Sequence, residues 1–357
     1  MNKEGSLSIN SENIFPIIKK WLYSDHDIFF RELVSNGCDA VTKLKKLDMI
    51  GEYTIPEGKE LCVKVTADAE TKTITFTDNG IGMDANEIDQ YINQIAFSGA
   101  RDFLDKYKDK TNDDQIIGHF GLGFYSAFMV ADRVTIDSLS YKEGAKAVHW
   151  ESDEGTSFEM TDSAKTEIGT TITLYLNEDS YEFCNEYRAK EILDKYCSFM
   201  PIPIYFEAIK TAEEQARIDE AEKKAKEEEE KRKAEEAAKK AADGEAVEAE
   251  TEAEPAEKAP EAPKPINETT PLWAKHPNEC TDEEYKEFYH RVFHDYKEPL
   301  FWIHLNMDYP FNLKGILYFP KINTEYDSIE GTIKLYNNQV FVADNIKEVI
   351  PEFLMLL

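Results

Sequence analysis

The chain has 357 residues, 41% of them hydrophobic, and includes 20 Phe and 18 Tyr, which is enough to fill the cores of two domains. The formal net charge of -30 at pH 7 disfavours a nucleic-acid-binding surface, because phosphate backbones are bound by clustered Lys and Arg. No stretch approaches the roughly 20 apolar residues that span a bilayer, and the first residues lack the apolar region of a signal peptide. We therefore expect a globular cytoplasmic protein with neither nucleic acid nor membrane as a partner.

The cysteines are odd in number and widely spaced, and none of them forms a CxxC pair. This pattern predicts neither a disulfide framework nor a zinc site, and it is typical of a reducing compartment. The cysteines are Cys38, Cys62, Cys184, Cys197 and Cys280.

The first element with polar chemistry on it is a predicted helix over residues 27–49, which follows a short predicted strand at 7–9 and a helix after it. Apolar residues recur at helical spacing in this helix, which leaves Glu32, Asn36 and Asp39 on a stripe of their own at i, i+4 and i+7. A solvated outer face is the ordinary interpretation of such a stripe, whereas Asn in place of Lys or Glu favours a site.

Two predicted strands lie within residues 59–77, and the second runs directly into the motif DNGIGM at residues 78–83. An acidic residue at the end of a strand, followed by two glycines, is well placed to project into a pocket. A plain Asp-Asn-Gly turn is the alternative interpretation of this short motif. A second helix is predicted over residues 86–95.

The stretch GHFGLGFYS at residues 118–126 has the glycine order GxxGxG and precedes an apolar, helix-like run at 127–130. Glycines let backbone N–H groups approach an anion, and the N-terminus of a helix attracts the same charge. The stretch therefore predicts a phosphate cradle, although an ordinary loop has the same composition. The polar segment that begins at Ser98 and Gly99 leads into this loop and is either a lid or a surface excursion.

Strands are predicted in succession after the glycine loop, and they alternate with turns as a meander. We expect a mixed or antiparallel sheet with helices on one face, an α/β (α+β) two-layer sandwich rather than a doubly wound sheet. The predicted strands are 133–140, 147–151, 157–161, 170–176 and 201–206, with a helix over 190–199 before the last of them.

The composition changes abruptly after residue 206, where Ala, Glu and Lys dominate and aromatic residues are absent. Such a tract cannot bury enough apolar surface to order a core, so we predict a first domain over 1–206, a charged disordered linker over 207–270 and a second domain over 271–357. The second domain has a predicted capped helix over 281–293 and strands over 311–319 and 331–342. A last predicted helix from residue 346 ends on apolar residues, which favours a truncated domain.

Together the motifs supply the groups that an ATP site needs. Asn36 can hold magnesium through its amide oxygen, and Glu32 can accept a proton from the water that attacks the terminal phosphate. Asp78 can accept a hydrogen bond from the adenine amino group, Thr170 can share it through water, and Met83 can pack on the ring. The chain has no GxxxxGK[ST] motif, and its glycine order differs from that of a dinucleotide fold, so both of these classes are excluded.

At these residues the sequence resembles the ATPase superfamily that joins DNA gyrase B, histidine kinases, MutL mismatch-repair proteins and the heat-shock protein 90 chaperones. The segments ELVSNGCDA, DNGIGM, IAFSGARDFL and GHFGLGFYS are similar to the chaperone branch, and specifically to its bacterial HtpG type. After the linker, PLWAKHPNE, GILYFPK and IKLYNNQVFVADN resemble the middle domain of that family.

The resemblance implies a nucleotide pocket in an N-terminal α/β sandwich, with a lid that begins near Ser98 and Gly99 and folds over bound ATP. It implies that Glu32 is the general base, that Asn36 is the magnesium ligand, and that Asp78 reads adenine together with Thr170. It also implies a homodimer that remodels unfolded or partly folded client proteins. The other residues expected at the nucleotide are Asp39, Gly82, Met83, Gly118, His119, Phe120, Gly121, Leu122, Gly123 and Phe124.

The chain departs from the family pattern ahead of the lid. Where the family commonly reads LGTIAKSG, this chain reads INQIAFSG, so that Phe97 replaces a lysine near the phosphates and Asn93 replaces a hinge glycine. The family's phosphate-sensing arginine and its C-terminal dimerisation domain fall beyond residue 357. We therefore expect ATP and ADP binding with slow hydrolysis.

Two other functions compete with an ATP-dependent chaperone. A non-hydrolysing, nucleotide-binding chaperone fragment would have the same pocket without turnover. A DNA ATPase of the MutL or gyrase kind would also have it, but the acidic charge and the chaperone-like middle domain weigh against this function. A histidine kinase is weaker still, because none of the seven histidines lies on a long helix ahead of the ATP motifs.

Overall fold

The computed structural model describes residues 25–95, 97, 99, 103, 116–118, 121–212, 215, 217, 263–307, 313–321 and 332–344. The strand predicted at 7–9, the helix predicted after it and the helix predicted from residue 346 lie outside these ranges, as does most of the predicted linker. Within the described ranges, no helix combines the length and the apolarity needed to cross a membrane.

The described elements combine strands and helices up to residue 209 and resume at residue 272. The α-helices are α1 (Ile28–Met49), α2 (Ala85–Tyr91), α3 (Glu186–Cys197) and α4 (Asp282–Phe293), and 3-10 helices span Gly123–Met129, Glu178–Cys184, Leu272–Ala274 and Pro277–Glu279. The strands are β1 (Val63–Asp68), β2 (Thr73–Asp78), β3 (Ala131–Leu139), β4 (Val148–Asp153), β5 (Glu159–Asp162), β6 (Gly169–Leu176), β7 (Ile204–Ile209), β8 (Phe301–Met307), β9 (Leu313–Phe319), β10 (Lys334–Asn337) and β11 (Val340–Asp344).

Seven strands form one sheet in the order β5-β4-β3-β6-β2-β1-β7. The β1–β7 pair is parallel and the other five pairs are antiparallel, so the sheet is mixed. The helix α1 packs against β1, β2 and α3, and its buried residues belong to one large core cluster with residues of the sheet. The predicted α/β sandwich is therefore confirmed, and its central helix begins within one residue of the predicted position.

Local capping groups set where several of these helices begin. Asp84 accepts hydrogen bonds from the N–H groups of Asn86 and Glu87 while the Glu87 carboxylate accepts the N–H of Asp84, which is a complete capping box for α2. Thr281 and Glu284 form the equivalent box for α4, as the sequence predicts. Since each box satisfies N–H groups that have no partner within the helix, these helix starts are encoded locally.

The structure differs from the sequence-based prediction at the end of the chain. The single strand predicted over 331–342 is a hairpin, because Asn338 and Gln339 adopt positive φ angles of 48° and 66° and turn the chain between β10 and β11. The strand β8 was not predicted as a separate element, although Phe301 to Met307 pair with β9 along their whole length. The run after the glycine loop is a 3-10 helix that begins earlier than predicted, at Gly123.

The two sides of the predicted linker approach each other at β7. This strand continues to Ile209, three residues past the predicted domain limit, and pairs in parallel with β1. On the far side, the buried Asn267 side chain accepts the N–H of Ile204 at 2.8 Å and donates to the carbonyls of Met200 and Ile202 at 2.7 and 2.8 Å. The chain therefore leaves the sandwich and returns to it at the same edge strand.

The part of the chain after Pro271 forms most of a second, smaller core cluster, to which Phe199 of the first domain also belongs. The helix α4 packs Tyr285, Phe288 and Tyr289 toward one face of the β8–β9 hairpin, which contributes Tyr318 to the same cluster. The β10–β11 hairpin contacts both clusters. Tyr336 packs against the smaller one, and Phe341 joins the main core, where its ring lies 6.0 Å from that of Tyr196 on α3. This hairpin therefore connects the second part of the chain to the sandwich.

Candidate nucleotide site

A cavity of about 1230 Å³ lies between α1, α2, the glycine loop and the ends of β2 and β6. Its volume exceeds the usual range of small-molecule sites and leaves room for a nucleotide. Every predicted nucleotide-site residue that the structure describes lines it: Glu32, Asn36, Asp39, Asp78, Gly82, Met83, Gly99, Gly118, Gly121, Leu122, Gly123, Phe124 and Thr170. Ser98, His119 and Phe120 lie outside the described residues.

One end of the cavity is built by strand register. Asp78 is the last residue of β2 and pairs with Thr170 on β6, which in turn pairs with Ser138 on β3. Paired residues of neighbouring strands project from the same face of a sheet, so these three side chains form a row. Asp78 and Thr170 face the cavity, whereas Ser138 is fully buried next to them.

Burial shapes the chemistry of Asp78. Loss of hydration raises the pKa of this carboxyl to about 7, and the hydrogen bond that Oδ1 accepts from the N–H of Gly80, at 2.8 Å, works in the opposite direction. The carboxyl group of Asp78 therefore changes its ionisation state near neutral pH. In its ionised form it only accepts hydrogen bonds, which suits a ligand that presents an N–H donor.

The loop after β2 approaches its neighbours too closely for side chains. Gly82 has a φ angle of 62°, and a Cβ atom there would lie 1.9 Å from the carbonyl oxygen of Leu139. A Cβ on Gly80 would lie 2.3 Å from the backbone of Ala40 on α1. The N–H of Met83 then donates to the Ser138 hydroxyl at 2.8 Å. The DNGIGM motif is therefore a wall packed between α1 and β3, and the plain surface turn that the sequence also allowed is excluded.

The opposite end of the cavity is formed by the glycine loop and α1. The buried Asp39 carboxylate accepts the N–H of Ile117 on Oδ1 and the N–H of Gly118 on Oδ2, both at 2.8 Å. Asn36 lies on the same face, and its Oδ1 is 3.7 Å from the position that a Cβ of Gly118 would occupy. The polar stripe of α1 thus faces the glycine loop rather than solvent.

Glu32 lies at the same end, one turn before Asn36. Its Oε1 accepts hydrogen bonds from Nε and Nη2 of Arg31, at 3.0 and 2.6 Å. Its Oε2 lies 2.5 Å from the position of a Cβ on Gly123, so a side chain at this point of the loop would displace the Glu32 carboxylate. The carboxylate is therefore held between a neighbouring guanidinium and the start of the 3-10 helix.

Two residues that depart from the family pattern make specific contacts. The Phe97 ring stacks on Tyr91 of α2 with the ring centroids 6.0 Å apart, and its backbone carbonyl approaches Gly121, whose φ angle is 64°. Asn93 accepts a hydrogen bond from Nε1 of Trp150 at 2.9 Å and donates to Asp89 at 3.0 Å. The position where the family commonly has a hinge glycine is thus tied to both β4 and α2.

The β10–β11 hairpin completes the rim. Asn337, Val340, Phe341 and Val342 line the cavity, and the Nδ2 of Asn338 donates to the carbonyl of Ile116 at 3.2 Å. Ile116 immediately precedes the two amides that Asp39 holds. The second part of the chain therefore touches the site at the start of the glycine loop.

The donor set fits a nucleotide with one magnesium ion. Magnesium usually takes one or two protein oxygen ligands, with phosphates and waters supplying the rest, and the Asn36 amide oxygen provides such a ligand on the cavity face. The described residues hold no group of three or more His, Cys, Asp or Glu side chains that could bind a metal without a phosphate. The glycines beside Glu32 and Asp39 leave the space that phosphates need.

This fold and this pocket define an ATPase domain of the type shared by histidine kinases, DNA gyrase B and heat-shock protein 90. Residues 28–178 match the family model described as the histidine kinase-, DNA gyrase B- and HSP90-like ATPase. Residues 182–357 match the model of the Hsp90 protein, and the chain belongs to the heat-shock protein 90 family.

Bacterial proteins named chaperone protein HtpG are similar to this chain over nearly its whole length. The protein of Bacteroides fragilis strain YCH46 is 47% identical over 355 residues, which are 99% of this chain and 46% of that protein. The Porphyromonas gingivalis W83 protein is 43% identical over 100% of this chain and 46% of its own length, and the Desulfitobacterium hafniense protein is 33% identical over 96% and 47%. The chain thus spans about half the length of these relatives.

Some residues of the site carry no signal in the sequence. Ser138 is one of several small polar residues on predicted strands, and its role depends on β3 lying beside β6. The Nζ of Lys43 lies 3.4 Å from the carbonyl of Gly99, and Lys142 forms ion pairs with Asp84 and Glu87 at the cavity edge. An ordinary lysine on a predicted helix or turn gives no indication of such contacts.

Proposed function

We propose that the chain binds ATP and ADP with magnesium and hydrolyses ATP as the ATPase region of a chaperone. The observation that carries this proposal is that four separate motifs meet at one cavity. The polar stripe of α1, the DNGIGM motif, the glycine loop and Thr170 are separate in the sequence, and their side chains line a single cavity. The division into an ATP-binding domain over 1–206, a charged linker over 207–270 and the start of a middle domain over 271–357 belongs to the same proposal.

The base of the nucleotide is assigned to the sheet end of the cavity. Ionised Asp78 accepts the hydrogen bond of the adenine amino group, and Thr170 contacts the same edge of the ring through its hydroxyl or a water. Gly82 and Met83 form the adjacent wall. Because a buried carboxylate without a donor is costly, the pocket favours ligands that supply one.

The phosphates are assigned to the glycine-loop end. Backbone N–H groups of the glycine loop, Gly118 to Phe124, contact them. The N–H of Gly118 itself is donated to Asp39, which fixes the start of the loop. Asn36 would hold magnesium, which when bound neutralises charge on the phosphates and on the leaving group. Glu32, oriented by Arg31 on Oε1, uses Oε2 to take a proton from the attacking water.

The cellular role is the chaperone function that the relatives' names carry. We propose that nucleotide turnover is coupled to the remodelling of unfolded or partly folded client proteins by a cytoplasmic homodimer. The contact of the β10–β11 hairpin with the rim of the cavity supports such coupling, since it gives the second part of the chain direct access to the nucleotide site.

Calorimetric titration with ADP and a turnover assay test the proposal. We expect Asp78→Asn to weaken ADP binding about 100-fold, because the acceptor for the amino group is lost and hydrogen bonds to charged groups are the stronger kind. We expect Glu32→Gln to lower the rate of ATP hydrolysis about 10²- to 10⁴-fold while ADP affinity stays within about threefold, since general-base catalysis contributes that much. Unchanged ADP affinity in Asp78→Asn would contradict the assigned base site.

A nucleotide-binding chaperone module without turnover is the second candidate. The pairing of Glu32 with Arg31 favours it, because the guanidinium occupies one carboxylate oxygen and leaves only the other for the attacking water. Measurable ADP affinity with no turnover above that of Glu32→Gln would support this candidate over the enzyme. A DNA titration at low salt addresses the less favoured DNA ATPase, for which we expect no binding.

A further inference from the structure

Ser138 lies just outside the cavity lining, beside the residue row that forms the sheet end of the pocket. Its side chain is fully buried, and its partner across β3 and β6 is Thr170, which lines the cavity next to Asp78. A buried hydroxyl at this place must satisfy its hydrogen bonds within the wall. The way it does so controls which groups the wall presents to a ligand.

The hydrogen bonds of Ser138 can be counted. Its Oγ accepts the N–H of Met83 at 2.8 Å, and it lies 2.9 Å from Oγ1 of Thr170 and 3.4 Å from the carbonyl oxygen of Gly169. A hydroxyl has a single proton, and 3.4 Å is at the outer limit for an O–H donor, whereas 2.9 Å is within the normal range. Either hydroxyl can be the donor of the shorter contact. If Ser138 donates along it, the proton of Thr170 is left for the cavity.

We propose that Ser138 is a positioning residue that makes Thr170 a hydrogen-bond donor toward the ligand, so that the pocket selects a 6-aminopurine over a 6-oxopurine. The inference rests on the proposed function, in which the base lies against Asp78 and Thr170. Adenine presents an amino donor beside a ring nitrogen that accepts. Hypoxanthine presents a carbonyl acceptor beside a ring N–H that donates, which is the reverse pattern.

Asp78 and Thr170 then form hydrogen bonds of opposite polarity with neighbouring atoms of the base. Ionised Asp78 accepts from the amino group, and Thr170 donates to the ring nitrogen, directly or through one water of the same polarity. A site built to pair a polar edge discriminates strongly against the reversed edge, because its own buried groups lose their partners. Without Ser138, the Thr170 hydroxyl is free to rotate and to accept from a ring N–H.

Calorimetric titration of the 357-residue chain with ADP and with IDP, both with magnesium at pH 8, tests the inference. We expect the wild-type chain to prefer ADP. We expect Ser138→Ala and Ser138→Cys to lower the ratio of ADP to IDP affinity about tenfold, the upper value of a single hydrogen bond. Cysteine nearly preserves the volume of serine but is a poor donor, so agreement of the two variants excludes a cavity effect.

Two further variants distinguish an effect of Ser138 on the Thr170 hydroxyl from a general effect on the folded wall of the pocket. In a Thr170→Val background, Ser138→Ala should leave the ADP-to-IDP ratio unchanged, because Ser138 acts through the Thr170 hydroxyl. Ser140→Ala is the matched control, since Ser140 is also buried but lies 3.4 Å from Glu87 Oε2 rather than beside Thr170. It should leave the ratio at the wild-type value. Thermal unfolding and far-UV circular dichroism confirm that each variant is folded.

The outcomes are distinct. Equal loss of ADP and IDP affinity in the Ser138 variants, or a change of ratio that persists in the Thr170→Val background, overturns the inference. Equal wild-type affinity for ADP and IDP also overturns it while the proposed nucleotide site stands. Wild-type binding of neither nucleotide overturns the proposed function, and this inference with it.

Discussion

The two ends of the candidate pocket are held in place by different kinds of contact. At the sheet end, Asp78 and Thr170 stand on adjacent strands whose register is fixed along the whole length of the pair. At the glycine-loop end, the amides of Ile117 and Gly118 are held by the carboxylate of one helix residue, Asp39. The first end is part of the sheet ladder, and the second is joined to α1 through a side chain.

The two ends therefore differ in how easily they can respond to a ligand. Moving Asp78 relative to Thr170 requires breaking strand pairing between β2 and β6, a cooperative change that involves the core. Moving Gly118 requires only that its bond to Asp39 and nearby side-chain contacts give way. We therefore expect the base end to be preorganised and the phosphate end to be the part that couples to the rest of the chain.

The largest expected effect concerns the stability cost of Asp78 at the preorganised end. Burial raises its pKa from 3.8 to about 7, which corresponds to up to about 4 kcal/mol. Below pH 3.8 the carboxyl is protonated in both the folded and the unfolded chain and costs nothing. As the pH rises toward 7 the unfolded chain ionises first, so the folded wild-type chain loses stability relative to Asp78→Asn.

We accordingly expect Asp78→Asn to raise the midpoint of thermal unfolding more at pH 8 than at pH 5. The control is Asp132→Asn on β3, an exposed position, which should shift the midpoint equally at both pH values. Asp78→Asn with the same shift at pH 5 and pH 8 would show that the carboxyl is not destabilised by burial.

The next effect concerns Asp39, which holds the glycine-loop end. Asp39→Asn keeps one acceptor oxygen and replaces the other with a donor, so the amides of Ile117 and Gly118 cannot both be satisfied. We expect ADP affinity to fall about tenfold, in line with the loss of one charge-assisted hydrogen bond, while adenosine affinity changes less than about twofold. Calorimetry with both ligands measures this, and equal losses for ADP and adenosine would place Asp39 at the base end instead.

The smallest expected effect sharpens the link to the β10–β11 hairpin. Asn338→Gly removes the hydrogen bond to the carbonyl of Ile116 but suits the positive φ angle of 48° at this turn. We expect faster hydrogen exchange at the amides of Ile117 and Gly118 and a loss of ADP affinity of less than about threefold. Lys72→Gly, at another positive φ angle outside the cavity lining, is the control. Exchange at the two amides that stays at the wild-type rate in Asn338→Gly would exclude the link.

Much of the local structure was predictable because its causes are local. The apolar spacing of residues 27–49 predicts α1 and places its three polar residues on one stripe, and that stripe faces the cavity. The capping box of α4 is visible as Thr281 and Glu284. The hairpin at Asn338 was missed because IKLYNNQVFV is a nearly continuous β-type run, and only the backbone angles reveal the turn.

The residue types of the pocket could be read from local patterns: a helix stripe of Glu, Asn and Asp, an aspartate ahead of two glycines, and a glycine loop. These are short motifs whose spacing follows from helix and strand periodicity. The folded chain is needed to see that Asp78, Thr170 and Ser138 form one row, and that Asp39 holds the amide of Gly118. Strand order and helix packing bring these residues together from distant parts of the chain, and such contacts arise from burial of the whole core rather than from any local pattern.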